Sequence, residues 1–522
     1  MGGRGVAYDM TDFTGGLNTF DPEFATPLAQ SPDLDNLILL DRGFKKRQGD
    51  VAWNSSAMVS SSTAIQGMGY IQFDSGTQFL NSVAGTKFFT DSGLSGTMTD
   101  NTGAITITAG NNNIWTPVSY NNLQIWFGGP PTAYDAPFTY SGSGNAAALA
   151  GSPPSAATAF VCNNRVFAMN TVANPSRIFW PILSNPSNWT GAGSGNADVA
   201  ASDGTALRCG VVIGPDSAIL FKDTSTHLMV LTRAPFPVYQ LQRGVGIAGQ
   251  NAWAFANGVI YFVTPGRRMM STSDGVNFQI YPNDINDIWD SINTNRIANI
   301  QGLYYQSLEW IVFCVSTGSS TTNNYLIIWD LRRKAFLRCT TGFKCNVMCL
   351  VQNRRWFGGH YDGKMYEKDK AATFTDASIA SPGIIDAYWR TPFHGLSSFS
   401  FQQYRFTQPF ASTVHPAWLD VSFLSETATV AEISYGFDFV FPKTITNQSL
   451  ITGSTQWDVS TSQWDVSPWG GGVSVIKRIF TTGRGNLFSL KIRNAVASQG
   501  FTFQGFSVQL KSDKSRKILS VI

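Results

Sequence analysis

A repeated strand-turn-strand pattern in the middle of the chain limits the possible folds more than any other feature. Each copy has an apolar strand, a short polar turn and a second apolar strand. The copies begin at residues 70, 118, 160, 211, 254, 303 and 349, so the period is about 46 residues. Repeats of about 40 to 50 residues that contain a hairpin are typical of propeller blades.

The turns inside the copies contain residues that accept a positive φ angle. Asn121-Asn122, Asn163-Asn164 and Asn257-Gly258 are three of these turns, and such residues favour tight hairpins. A hairpin blade has two apolar faces that it cannot bury alone, so blades stack around an axis until the ring closes. The pattern predicts a β-propeller of about six or seven blades. A series of unrelated hairpins in successive sandwiches is the alternative.

Composition also favours an all-β chain. Charged residues make up 14% of the sequence, against about 25% in an average soluble protein, whereas aromatic residues reach 13%. Sparse charge with many aromatic, Gly and β-branched residues is typical of short strands joined by tight turns. The net charge of +3 and the scattered basic residues show no footprint of a tight DNA-binding protein.

The strand pattern changes near residue 370. Beyond a small, polar linker at 371–378, apolar and polar residues alternate in longer strands: Tyr404–Thr407, Trp418–Phe423, Leu487–Ile492 and Phe503–Leu510. This alternation indicates sheets with one packed and one wet face, as in a sandwich. We predict three regions: residues 1–55, a segment that joins the platform; 56–370, the propeller; and 371–522, a β-sandwich-like platform or nozzle domain.

One segment departs from the strand pattern. Residues 284–292 have apolar side chains at 285, 288, 289 and 292, which is the spacing of an amphipathic helix. Three carboxylates, at 284, 287 and 290, lie on the same segment. We interpret them as features of a helix start rather than as a cation site.

The six cysteines lie mostly in apolar runs and form no CxxC pair. We interpret them as buried thiols of a protein made in a reducing compartment. A metal site at Cys339, Cys345 and Cys349 near His360 is the alternative, although these spacings are not those of a zinc ribbon. No run of about 18 apolar residues occurs, so we expect a soluble protein with no membrane-spanning segment.

No motif of a known catalytic class stands out. Residues 244–249 match G-x-G-x-x-G, but they lead into a further strand and not into the helix that a phosphate-binding loop needs. The chain has four histidines and no G-x-S-x-G, H-E-x-x-H or S-x-x-K element. We predict that the protein is not an enzyme and has no catalytic residue, cofactor or metal. A pair of carboxylates far apart in the chain, as in glycosidases, stays open.

Motifs along most of the chain resemble the nozzle, or tail tubular, proteins of short-tailed bacteriophages. The N-terminal motifs are Phe13–Asn18, Ser31–Leu37 and Arg42–Gly49; those similar to blade sequences are Asn163–Ala168, Asn174–Trp180 and Gly244–Gly246 before Gly258–Phe262; the C-terminal ones are Thr481–Gly485 and Gly505–Val508. The resemblance implies a propeller in each subunit and a platform contributed by both chain ends.

The resemblance also implies a place in the virion. It implies a homohexameric ring in the virion tail, assembled in the host cytoplasm below the adaptor or head-to-tail connector, through which viral DNA passes transiently and without specific binding. Tail fibres and a tail needle are further expected partners. The alternative is a receptor- or glycan-binding tail propeller, and a tail-associated polysaccharide hydrolase is less favoured.

Two groups of residues are candidates for the subunit interface. The basic run Lys45, Lys46 and Arg47 is one, with a solvated turn as the alternative. The other group is three tryptophans of an aromatic, Gly-rich tract, whose packing on the same subunit is equally open: Trp457, Trp464 and Trp469.

Overall fold

The computed structural model describes residues 6–395, 414–425, 430–449 and 474–512. These residues form seven four-stranded antiparallel sheets, two six-stranded sheets and one two-stranded parallel pair. The predicted fold class is confirmed: the chain is all-β, with a propeller and a sandwich-like platform that includes the N-terminal segment. No helix in this part of the chain has the length and apolar character needed to cross a membrane.

Seven short strands precede the first blade and are shared between the two parts of the molecule. They are β1 (Val6–Met10), β2 (Gly16–Leu17), β3 (Gln30–Ser31), β4 (Asp33–Asp35), β5 (Leu37–Leu39), β6 (Phe44–Lys46) and β7 (Val51–Ala52).

Blades 1 to 4 of the propeller follow in chain order. Blade 1 is β8 (Ile65–Gln72), β9 (Gln78–Ala84), β10 (Lys87–Ser92) and β11 (Thr99–Asp100); blade 2 is β12 (Ile114–Tyr120), β13 (Leu123–Gly129), β14 (Phe138–Tyr140) and β15 (Ala147–Ala148); blade 3 is β16 (Ala156–Cys162), β17 (Arg165–Thr171), β18 (Arg177–Trp180) and β19 (Gly195–Asp198); blade 4 is β20 (Leu207–Gly214), β21 (Ser217–Lys222), β22 (Ser225–Val230) and β23 (Val238–Arg243).

The last three blades complete the ring. Blade 5 is β24 (Trp253–Ala256), β25 (Val259–Val263), β26 (Met269–Thr272) and β27 (Gln279–Ile280); blade 6 is β28 (Gln301–Tyr305), β29 (Trp310–Val315), β30 (Tyr325–Asp330) and β31 (Ala335–Cys339); blade 7 is β32 (Cys345–Val351), β33 (Arg355–His360) and β34 (Met365–Lys368), with β7 as its fourth strand.

Each predicted repeat coincides with one blade. All seven repeat starts lie within the first, innermost strand of a blade. The turns also agree with the prediction, since φ is 40° and 56° at Asn121 and Asn122 and 45° and 53° at Asn163 and Asn164. Positive φ at both central positions is the geometry of a type I′ hairpin.

The inner hairpin turns hydrogen bond from blade to blade. Asn121 Nδ2 of blade 2 lies 3.2 Å from Asn164 Oδ1 of blade 3, and Asn163 Nδ2 lies 2.9 Å from Asp216 Oδ1 of blade 4. Between these polar turns and the outer rim, aromatic clusters fill the spaces between blades, for example Phe221 of blade 4 against Phe262 of blade 5 with ring centroids 5.0 Å apart. Neighbouring blades therefore contact each other through hydrogen bonds between their turns and through apolar packing between their faces.

An N-terminal strand closes the propeller. In β7, Val51 and Ala52 pair with Glu367 and Tyr366 of β34, so the seventh blade takes its outer strand from the start of the chain. The next residue, Trp53, donates its indole N–H to Asp91 of blade 1 at 2.7 Å. The closing strand thus connects blade 7 and blade 1.

The platform follows the propeller. Its strands are β35 (Ala387–Arg390), β36 (His394–Gly395), β37 (Val414–Ser425), β38 (Val430–Phe437), β39 (Val440–Ser449), β40 (Ser474–Phe480), β41 (Leu487–Asn494) and β42 (Phe501–Ser512). One sheet has the order β40-β37-β42-β6-β5, with β1 also on β42. The other has the order β39-β38-β41-β35-β4, with β36 also on β41.

An aromatic core joins the two chain ends between these sheets. Phe13 and Phe44 from the N-terminal segment contact Trp389 from β35, each with centroids 5.5 Å apart, and Phe44 lies 4.9 Å from Phe503 of β42. All four rings are buried. Burying aromatic rings of this size stabilises the platform strongly.

The predicted helical segment is short. A 3-10 turn, Asn283–Ile285, leads into α1 (Asn286–Asp290), and further 3-10 turns are Ala201–Asp203 and Thr294–Asn299. The four apolar residues at 285, 288, 289 and 292 are all buried, as their spacing predicts. The carboxylates have protein partners: Asp284 accepts from Gln30, Asp287 from Thr19, and Asp290 from Arg268.

Candidate functional site

The basic run at 45–47 lies at the junction of propeller and platform. Lys46 and Arg47 are each 1% exposed, whereas Lys45 is half-buried. Lys46 Nζ donates to Asn494 Oδ1 at 2.9 Å and to the Val496 carbonyl at 3.0 Å. We therefore correct the interpretation of Lys46 and Arg47 as interface residues: alternation on β6 turns Lys46 inward, and neither side chain is available to a neighbouring subunit.

Arg47 forms a buried ion pair with the linker between the two domains. Its Nη1 lies 2.8 Å from Asp376 Oδ1, and its Nη2 lies 2.5 Å from Asp376 Oδ2. Its Nε donates to Asn36 at 2.8 Å, and its Nη2 also donates to the Thr341 carbonyl after blade 6 at 2.9 Å. The guanidinium carbon lies 4.3 Å from the ring centroid of Phe343. One side chain thus connects the N-terminal segment, the propeller and the linker.

A second buried pair holds the closing strand of the propeller. Lys368 Nζ lies 2.6 Å from Asp50 Oδ2, with both side chains at 0% exposure. It also lies 2.8 Å from the Gly342 carbonyl and 2.7 Å from His360 Nε2. Burial and the Lys368 charge lower the pKa of His360 well below its usual value, so the neutral imidazole accepts this bond. These groups satisfy one another, which is the condition for burying charges.

The cysteines do not form one cluster, although Cys314 and Cys345 contact each other. Cys345 Sγ lies 3.7 Å from His360 Nε2, whereas Cys339 lies near Arg47. All six are free thiols; five are buried and Cys349 is half-buried. Among the residues that the structure describes, no group of three or more His, Cys, Asp or Glu side chains has the arrangement of a metal site.

A cavity of about 240 Å³ lies on the propeller axis between the inner strands of blades 1, 2, 5, 6 and 7. Aromatic residues line part of it, including Trp253, Phe255 and Tyr304, and Phe255 is 40% exposed. The inner strands also turn their unpaired backbone edges toward the axis. The cavity therefore offers aromatic faces and polar groups to a small molecule.

Side chains cross the axis and restrict this opening. Gln250 Nε2, before blade 5, lies 3.2 Å from Thr116 Oγ1 of blade 2. Arg296 Nη1, before blade 6, lies 2.6 Å from Asn112 Oδ1, before blade 2. These blades are on opposite sides of the ring, so the two contacts bridge it. The axis of a single propeller is consequently a pocket and not an open tube.

The glycine-rich segment at 244–249 connects blades 4 and 5. A Cβ on Gly246 would lie 2.3 Å from the Asp223 backbone, and one on Gly249 would lie 2.3 Å from the Ala298 carbonyl oxygen. Both positions need glycine because another backbone passes close by. The segment leads into strand β24, which is not the strand-to-helix setting of a phosphate-binding loop.

The platform has an exposed apolar surface that the sequence analysis did not single out. Phe439 and Val440 at the β38–β39 turn are 55% and 63% exposed, and Ile476 and Phe480 on β40 are 69% and 76% exposed. On β40, Val475 and Ile479 are buried, so the strand has apolar residues on both faces. That doubled pattern is the sequence signal for this surface. The predicted interface residues Trp457, Trp464 and Trp469 lie outside the described residues.

Comparison with models of protein families and with curated proteins finds no match. Among solved structures, the chain is similar to BamB from Moraxella catarrhalis, at 10% identity and a TM-score of 0.38, over 64% of this chain and 93% of that one. It is also similar to YCF48 from Cyanidioschyzon merolae, at 10% identity and a TM-score of 0.39, over 61% of this chain and 98% of that one. A third similar structure is the WD40 propeller domain of Doa1, at 9% identity and a TM-score of 0.39, over 61% of this chain and 96% of that one. These similarities concern the fold alone.

Proposed function

We propose that the chain is a structural subunit of a bacteriophage tail nozzle, which forms a homohexameric ring below the adaptor through which viral DNA leaves the virion. The platform carries this proposal. Strands β1, β4, β5 and β6 complete sheets whose other strands come from the far end of the chain. A platform of both chain ends beside one propeller is the architecture that the resemblance of the sequence motifs implies.

The junction supports a rigid wall element. Two fully buried ion pairs, Arg47–Asp376 and Lys368–Asp50, connect the platform segment, the linker and the last blades. Separating a buried ion pair leaves an uncompensated buried charge, which is strongly destabilising. The two domains therefore resist moving apart. Rigid subunits are suited to a tube that conducts a genome under force.

The restricted propeller axis supports a conduit that lies between subunits and not within one propeller. Gln250–Thr116 and Arg296–Asn112 bridge the propeller axis, so DNA passes through the centre of the ring of subunits. The scattered charges and the net charge of +3 are suited to DNA that slides, because a continuous basic stripe would bind the phosphates.

The proposal is tested with virions produced with and without this chain. We expect particles that lack it to have filled heads and adaptors but no distal tail, and to fail to eject DNA into the host. Complete and infectious particles without the chain would contradict the proposal.

The axial cavity favours a second candidate function, a glycan-binding propeller. Trp253, Phe255 and Tyr304 offer aromatic faces in a pocket of about 240 Å³, which is below the size usual for drug-like ligands. Binding of purified protein to a panel of host glycans tests this candidate. If the cavity binds the glycan, Phe255→Ala should remove the binding. Phe20→Ala, which changes another exposed Phe, is the control and should not.

A further inference from the structure

We propose that the β40 surface, defined by Phe439, Val440, Ile476 and Phe480, docks on a second copy of this chain. The inference rests on the proposed function, since it identifies one of the two surfaces through which a ring subunit contacts its neighbours. It adds to that function the residues that bind and the partner that they bind.

The four residues belong to one side of the platform. Phe480 ends β40, and the connection that follows returns to the β38–β39 turn, where Asn486 and Leu487 each donate a backbone N–H to Asp438 Oδ1 at 2.8 Å. Asp438 is followed directly by Phe439 and Val440. The Phe480 end of β40 and the turn that carries Phe439 and Val440 therefore lie at the same end of the sandwich. Ile476 lies four residues back along β40, on the same face as Phe480.

The described charged residues around these side chains balance in sign. On the outer face, Phe480 is opposite Trp418, Arg478 is opposite Asp420, and Ile476 is opposite Ser422. Arg478 forms two 2.7 Å bonds to Asp420 and lies over the Trp418 ring at 5.1 Å. Asp9 and Arg42, which line the groove beside Ile476, also have opposite charges. These four charges sum to zero, so identical copies meet here without net charge repulsion.

Strand β40 is an end strand of its sheet as the described residues form it. Its residues, Ser474–Phe480, pair with β37 on one side, and the other side has no strand partner among the described residues. An open edge with exposed apolar side chains promotes association with other chains unless a partner covers it. A groove of about 390 Å³ lies beside Ile476 and can receive side chains from that partner. Small residues such as Gly505 and Ser507 line it together with the charged Asp9 and Arg42.

The size of the surface indicates a protein partner. From their exposed fractions, the four side chains present on the order of 400 Å² of apolar surface, at the lower end of the roughly 150–250 Å² that a large aromatic side chain exposes. One side of a standard protein interface buries about 800 Å², of which a little over half is apolar. The β40 surface thus supplies the apolar share of one side of such an interface.

A second copy is the occupant that fits these features. A closed ring joins each subunit to the next through two different surfaces, so every copy has one such surface for its neighbour. The β40 surface is on the platform, whereas the exposed apolar residues of the propeller, such as Val172 and Leu183 of blade 3 and Ile280 of blade 5, belong to separate blades. The platform is therefore where we expect the subunits to join.

The test compares the double variant Ile476→Ser/Phe480→Ser with the control Val276→Ser/Ile280→Ser, whose residues are 50% and 65% exposed on blade 5. Self-association is measured by analytical ultracentrifugation, with the adaptor added if the chain alone does not assemble. We expect the β40 variant to associate about a hundredfold more weakly, because two central apolar residues are lost, and the control to match the wild type. Thermal unfolding checks that both variants fold.

The outcomes separate the two proposals. A wild type that assembles together with an unaffected β40 variant would overturn the docking surface and leave the ring standing. A wild type that stays monomeric with the adaptor would overturn both. Ile476→Cys adds a direct readout, because none of the native thiols is fully exposed: the new thiol should react with maleimide in the single subunit and be protected in the ring. Protection already in the single subunit would show that the chain covers this surface itself and would overturn the inference.

Discussion

The propeller and the platform both bury aromatic cores, but their strands pair over different distances along the chain. In blade 3, Cys162 pairs with Arg165 across a two-residue turn, whereas in the platform Val6 pairs with Leu510. The propeller is a series of local hairpins that stack, and the platform forms only when both chain ends meet. Stability in the platform should therefore depend on a few long-range contacts, and in the propeller on many small local ones.

The largest expected effect is at the junction of the two regions. Arg47→Met leaves Asp376 buried without its partner and should lower the free energy of unfolding by about 3–5 kcal/mol, as for other broken buried pairs. The measurement is chemical denaturation followed by tryptophan fluorescence. Arg177→Met, which breaks the half-exposed pair with Asp198 on blade 3, is the matched control and should have a far smaller effect. Equal effects would contradict the distinction between the regions.

A pH dependence of stability should also arise at the junction. Burial raises the pKa of Asp35 from 3.8 to about 6, although the hydrogen bond from Thr340 acts to lower it. Because the folded chain holds this proton more tightly, the contribution of Asp35 to stability is complete below pH 3.8 and is lost as the pH rises through about 6. The loss is about 3 kcal/mol, at 1.36 kcal/mol for each pKa unit.

Asp35→Asn isolates this contribution. Other carboxylates titrate in both proteins, so the difference between their free energies of unfolding should move in favour of the variant by roughly 2 kcal/mol between pH 4 and pH 7. Denaturation curves across that range measure it. A difference that is constant with pH would show that Asp35 does not titrate in this way.

The smallest expected effect is in a propeller turn. Asn353 of blade 7 is exposed and has a φ of 55°. Asn353→Ala should cost about 1 kcal/mol, because Ala disfavours the left-handed region, whereas Asn353→Gly should be nearly neutral. Thermal unfolding of the three proteins gives the comparison. A Gly variant as unstable as the Ala variant would mean that side-chain contacts, not φ, stabilise this turn.

The sequence separation of paired strands also explains which parts of the fold could be predicted from the sequence. The seven blades repeat a local pattern, and the Asn-Asn and Asn-Gly turns mark their hairpins, so the blades were found from residues close in the chain. The helical spacing at 285–292 was equally local. Strand β7 was not anticipated as part of blade 7, because its pairing with β34 joins residues more than 300 positions apart.

The candidate site was predicted less well for a related reason. Lys46 and Arg47 appear solvated or available to a partner in sequence, since charged residues are mostly exposed. Their partners Asn494 and Asp376 are 448 and 329 residues away, so no local pattern reveals the burial. Ile476 and Phe480 could have been found, because a strand with apolar residues on both faces predicts a contact on its outer face.

The mass of the protein in solution, alone and mixed with its adaptor, distinguishes a ring subunit from a monomer. Light scattering measures it, with negative-stain images of the same sample. We expect a six-fold ring with a mass of about six times the 56.9 kDa chain, either alone or on the adaptor. A chain that stays monomeric in both conditions is not the ring subunit proposed above.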